Sequence, residues 1–85
     1  MNLITMACMM IMNAPTNQGH KVVFRCNEGK ELIVPINSEH LKPFKIGKKY
    51  VLRIDQSKKM VFELYEVMNK KVFPNASYRL EESTH

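Results

Sequence analysis

The stretch His20-Lys21-Val22-Val23-Phe24-Arg25-Cys26 decides the fold class. His20, Val22, Phe24 and Cys26 fall on one face of an extended chain, and Lys21, Val23 and Arg25 on the other. Successive side chains of a strand point to opposite sides, so this period-two pattern marks a half-buried β-strand. Asn27-Glu28-Gly29-Lys30 then supplies a tight reversal, with Gly29 able to take the left-handed position of a three-residue hairpin loop. Lys30 to Ile36 reads as the next strand. Pro35 removes a ladder donor there and so puts that end at a sheet edge or a strand exit.

Toward the N-terminus, Leu3 to Met12 is nearly all apolar, and no charged side chain occurs before Lys21. Met, Leu and Ala are good helix formers, yet pairing arithmetic favours a strand. With Asn13 to Gly19 as the loop, Met12 faces Val22, Met10 faces Phe24 and Cys8 faces Cys26, so apolar pairs stack on the core face of the neighbouring strand. The run lacks the charged start and cleavage site of a secretory leader, and it is far shorter than the roughly 20 apolar residues of a membrane span. The expectation is a cytoplasmic protein without a membrane partner. In that reducing setting Cys8 and Cys26, although within bridging reach, are expected to be thiols.

Toward the C-terminus, Asn37 to Pro43 begins with a capping residue and is stopped by Pro43 after one helical turn. In Tyr50 to Asp55, Tyr50, Leu52 and Ile54 share a core face, while Lys49, Arg53 and Asp55 share the polar one. Gln56-Ser57-Lys58-Lys59 turns the chain into a strand from Met60 to Met68, with Met60, Phe62 and Leu64 expected to face inward. A short segment, Val72-Phe73, ends at Pro74, and Glu81 to His85 is expected to fray. The 85 residues, 45% hydrophobic and 25% charged, suffice for one small globular domain and exclude a two-domain enzyme. That domain is expected over residues 1–80, with 81–85 as its tail.

Five antiparallel strands of this size bury a common core by closing into a barrel. The fold class expected is therefore mainly β, a small five-stranded antiparallel barrel with one short helical turn. Three consecutive strands, a connector and two more strands resemble the oligonucleotide/oligosaccharide-binding (OB) barrel over roughly residues 3–68, with an SH3-like or Sm-like barrel as the alternative. Phe44-Lys45-Ile46-Gly47-Lys48-Lys49-Tyr50 is similar to the Phe-x-x-Gly-Lys-x-Tyr lead-in to a late strand in short phage and prophage proteins. That resemblance implies a small phage-type accessory protein, acting in the host cytoplasm. Its physical content is an anchoring aromatic, a glycine that permits a sharp turn, and an exposed lysine before an alternating strand.

Several residue sets carry side chains capable of chemistry. Met6, Met9, Met10 and Met12 with Cys8 and His20 are soft ligands suited to Cu(I), but Met9 points away from its neighbours on a strand, and core packing explains the methionines better. Cys8, Cys26, His20 and His40 match no zinc spacing. Cys26 with His40 would be a nucleophile and base, but Cys26 falls on an inward face, where cysteines are inert. No glycine-rich phosphate cradle or paired carboxylate is present. The expectation is a non-enzyme with no catalytic residue, no metal and no cofactor.

Charge is the remaining signal. The chain carries a formal +5, and residues 41–60 hold seven lysines and arginines against the single acid Asp55. Lys21, Arg25, Lys48, Lys49, Arg53, Lys58 and Lys59, with Tyr65 to stack on a base, form a candidate single-stranded DNA or RNA surface. Aromatics are scarce for that role, because alternation places Phe24, Tyr50 and Phe62 inward, leaving Tyr65 and Phe44, Phe73 or Tyr78. The leading expectation is therefore a protein-binding inhibitor or adaptor, with single-stranded nucleic-acid binding as the alternative. An open strand edge would allow an edge-paired homodimer as well as a monomer.

Overall fold

A computed structural model describes residues 2–68, 71–72 and 78–82. Its strands are β1 (Leu3–Thr16), β2 (Gly19–Cys26), β3 (Glu31–Ile36), β4 (Lys49–Asp55) and β5 (Met60–Glu66), followed by the short β6 (Lys71–Val72), β7 (Tyr78–Arg79) and β8 (Glu81–Glu82). One helical turn, α1 (Ser38–Leu41), links β3 to β4, and a 3-10 turn, Asn27–Gly29, links β2 to β3. All the strands belong to one antiparallel sheet, in which β4, β1, β2 and β3 lie side by side in that order. Three hairpin-linked strands with a fourth returning beside the first make a Greek key, the arrangement on which OB-like barrels are built.

β1 serves two neighbours. Leu3 to Met9 pairs with β4, and Cys8 to Thr16 pairs with β2. A bulge at Ile11 shifts the second register, so Cys8 faces Cys26 and Met10 faces Phe24 as expected, but Met12 meets Val23 and not Val22. Asn13 to Thr16, expected in a loop, continues the strand to a tight turn at Asn17-Gln18. Pro15 is tolerated there because β4 has ended its pairing by that point, and an edge strand can spare a donor.

The sheet is nearly closed by the last described segment. Tyr78 and Arg79 pair with β5, and Glu81 and Glu82 pair with β3, so residues 78–82 bridge the two ends of the sheet as a sixth stave. Leu80, between them, is buried. The mainly β antiparallel barrel is as expected, and only its strand count, five, is corrected to six. The frayed end expected at Glu81 and Glu82 is corrected too, since both are held by ladder hydrogen bonds. Residues 83–85, Phe73 and Pro74 lie outside the described residues.

The core contains Met10, Val22, Phe24, Leu32, Val34, Tyr50, Leu52, Ile54, Val61 and Leu64, all essentially inaccessible. Phe24 packs edge-on against both Phe44 and Tyr50. In β5 a second bulge, at Phe62, changes the inward set: Arg53 pairs with Glu63 but Ile54 with Val61. Val61 and Leu64 point inward, while Met60 and Phe62, expected in the core, are only half-buried. Asp55 is also buried, against the polar-face expectation, because its Oδ1 accepts hydrogen bonds from the Ser57 and Lys58 backbone N–H groups and from the Ser57 hydroxyl. Cys8 and Cys26 are joined by a disulfide. The expected thiol state came from compartment reasoning alone, whereas the cross-strand register places the two sulfurs together.

Candidate interaction surface on the outer wall

The lead-in to β4 is locked to the core by Tyr50. Its hydroxyl accepts the Lys45 N–H at 2.9 Å and donates to the Pro43 carbonyl at 3.4 Å, and Phe44 packs against its ring. Gly47, at φ +90°, makes the turn that follows. Its N–H reaches the Met10 carbonyl at 2.8 Å, while the Lys48 carbonyl accepts the Met10 N–H at 3.1 Å. On the other side of β4, the Lys49 carbonyl accepts the Val67 N–H at 3.1 Å. Backbone hydrogen bonds thus join residues 46–49, the middle of β1 and the end of β5 into one rigid region.

Large apolar side chains are exposed around that region. Met9, Met12, Ile46, Val67 and Met68 lie there, and of the exposed large hydrophobics in the described residues Leu3 alone lies elsewhere. Met9 sits in register between Lys49 of β4 and Arg25 of β2, and Arg25 in turn faces Glu31 of β3. One flanking row holds Met12, Val23 and Ile33, and the other Ala7, Val51 and Tyr65. Val23, Ile33 and Val51 point outward because their sequence neighbours fill the core, and Met12 joins them through the bulge at Ile11. The outer wall therefore sets apolar rows on either side of a middle row in which Lys49 and Arg25 flank Met9.

The nominated basic residues divide between this region and the rest of the barrel. Four of them face carboxylates: Lys21 to Glu81 at 3.1 Å, Arg25 to Glu31 at 2.7 Å, Lys48 to Glu66 at 2.9 Å and Arg53 to Glu63 at 3.4 Å. The Glu66 hydrogen bond holds the Lys48 ammonium above the ordinary lysine range. Arg53 also lies over the Phe62 ring, 5.5 Å from its centroid. Lys49 and Lys58 stand at opposite ends of β4, a strand that spans roughly 20 Å at about 3.3 Å per residue. The wall brings Lys49 and Arg25 together around Met9, and leaves Lys58 and Lys59 on the turn at the far end. Tyr65 is half-buried beside Val51, whereas Phe44 is in the core and Tyr78 packs on it.

Sequence reasoning missed the apolar part of this wall. The outward parity of Met9 was legible, but Met12 reaches the same side only through the bulge at Ile11, and Ile46 only through the turn at Gly47. Among the described residues, no three His, Cys, Asp or Glu side chains gather as a metal site. No helix among them is long and apolar enough to cross a membrane. Comparison with protein-family models, curated proteins and solved structures returns no match.

Proposed function

We propose that this chain is a small accessory barrel of phage type that acts by docking onto another protein through its outer wall. The observation that carries the reading is the gathering of Met9, Met12, Ile46, Val67 and Met68 around one rigid region fringed by lysines. Exposed apolar patches rimmed by polar groups are typical of interaction sites, and methionine adapts readily to a partner's contour. The same wall supports the nucleic-acid alternative less well. Lys21, Arg25, Lys48 and Arg53 already face carboxylates, which offset the field that would attract phosphates. A host-cytoplasmic setting goes with the phage-type reading. The Cys8–Cys26 bond stands against it, since reducing compartments keep thiols free, and a thiol count on protein taken from its native cell decides.

The test compares the parent chain with a Met9→Glu, Ile46→Glu double variant as baits in the native host. A stoichiometric protein partner that the parent retains, and that a normally folded double variant loses, supports the reading. Equal retention by both baits overturns it.

A further inference from the structure

The barrel has an uncapped mouth at the end where β1 begins and β4 finishes. Ile4, Met6, Leu32, Ile54 and Leu80 line a cavity of about 60 Å³ there. Lys30, Gln56 and Lys59, all exposed, complete its wall at the surface. Lys30 directly follows the β2–β3 turn and Lys59 ends the β4–β5 turn, so two separate hairpins bring one lysine each to the same opening. No carboxylate lines the cavity, and no ion pair joins either lysine to an acid among the described residues.

The backbone at Lys59 is a second, independent observation. Lys59 has φ +52°, a left-handed conformation that glycine adopts without penalty and lysine does not. Its carbonyl accepts the Leu80 N–H at 2.8 Å, which ties the rim of the mouth to its apolar lining. Glycine would relieve the strain at this position, as it would at Glu28 in the β2–β3 turn. A lysine there gives up local stability at the rim of an apolar cavity. Unfavourable backbone conformations that the surrounding fold enforces cluster at functional sites.

We propose that this mouth binds a short aliphatic carboxylate, with the hydrocarbon end in the cavity and the carboxylate between Lys30 and Lys59. A dry cavity of about 150 Å³ accommodates benzene, so the present one takes about two to three carbon atoms, the branched end of an isopropyl group. Two lysines beside an apolar hole complement a carboxylate placed two or three bonds from that group. Such chemistry occurs in free branched short-chain acids and in the C-terminal residue of a chain ending in Leu or Val. The site is remote from Met9 and Ile46, and it stands or fails independently of the outer-wall reading.

The experiment is a titration of the whole protein followed through the methyl resonances of Ile4, Met6, Leu32, Ile54 and Leu80. The probes are 4-methylpentanoate, 4-methylpentan-1-ol, and a dipeptide ending in Leu as the free acid and as the amide. The expected result is saturable shifts at millimolar concentrations with a carboxylate-bearing probe, and at least tenfold weaker binding of its uncharged counterpart, the alcohol or the amide. Tighter binding of the free-acid dipeptide than of 4-methylpentanoate identifies a chain end as the source, and the reverse order identifies the free acid. Lys59→Gly separates function from folding: its melting temperature should be unchanged or higher, while affinity for the better carboxylate falls about tenfold. The proposal is overturned if neither carboxylate binds up to about 50 mM, well beyond the range expected of so small a ligand. It is equally overturned if charged and uncharged probes bind alike, or if Lys59→Gly binds as tightly as the parent.

Discussion

Cys8 and Cys26 face each other across the β1–β2 ladder and are joined by a disulfide, at the residue where β1 also pairs with Tyr50 of β4. The bond therefore ties the point where the two halves of the barrel share a strand. Its ends are 18 residues apart, and a loop of that length is stabilised by about 3 kcal/mol when closed. Replacing both cysteines by alanine should lower the unfolding free energy from urea titration by about 3 kcal/mol, and reductant should then have no further effect on the variant. A parent whose midpoint is the same with and without reductant would show that the bond contributes nothing.

Two glycines with left-handed backbones make opposite demands on the space around them. At Gly19, φ +133°, an added Cβ would sit 3.0 Å from the Ile36 carbonyl oxygen; at Gly29, φ +77°, it would meet nothing. Gly29→Ala should cost about 1 kcal/mol, the penalty of the conformation alone. Gly19→Ala adds a clash with backbone and should cost more, about 2–3 kcal/mol. Chemical denaturation of the two variants checks the order, and equal losses would contradict the close approach of β3 to the β1–β2 turn.

Alkaline pH should destabilise the barrel. Burial pushes the Tyr50 and Tyr78 hydroxyls above the ordinary tyrosine value of 10.0, and the hydrogen bond to Glu66 raises Lys48 above 10.5. A group whose pKa is higher in the folded state contributes stability that is complete below its unfolded pKa and is lost as pH rises through the folded value. Stability should thus hold to about pH 10 and fall beyond it. Thermal melts from pH 8 to pH 12, alongside ultraviolet titration of the phenols, check this. Tyr50→Phe should be less stable at neutral pH, having lost its bonds to Lys45 and Pro43, and should show a shallower alkaline decline.

The acid limb has the opposite sign. The Ser57 hydroxyl, then the Lys58 and Ser57 backbone N–H groups, hold the Asp55 carboxyl below 3.8, and Lys21 holds Glu81 below 4.5. A depressed pKa contributes stability that is present above the unfolded value and lost as pH falls through the folded one. Asp55→Asn keeps an oxygen to accept the turn's hydrogen bonds but cannot titrate, so its stability should vary less below pH 4 than the parent's. Melting temperatures from pH 2 to pH 6 measure the difference, and parallel curves would remove Asp55 from the account.

The nucleic-acid alternative has its own measurable consequence. If Lys49, Arg53 and Lys59 each met a phosphate of a single strand, replacing all three with glutamine would lower the slope of log affinity against log salt by about 2. The protein-docking reading predicts a change well under about 1, with weak binding even at low salt. Fluorescence anisotropy of a labelled single-stranded oligonucleotide over a salt series distinguishes the two.

Alternation was enough to establish the five main strands and the inward faces of Val22, Phe24, Tyr50, Leu52 and Ile54. Centring a loop on the β1–β2 turn then placed Cys8 opposite Cys26 and Met10 opposite Phe24. Period-two patterning reports which face is buried, and a wrong register would expose the whole set. The tertiary structure decided what local pattern cannot encode. Bulges at Ile11 and Phe62 inverted the parity beyond them, because one extra residue on one strand is absorbed by its partner and leaves no mark in the residue types. The sixth stave at residues 78–82 exists because β3 and β5 approach each other only after the sheet has curled. The outer-wall patch and the mouth flanked by Lys30 and Lys59 arise the same way. Each assembles residues from several strands or turns, and only the closure of the barrel sets the distances between them.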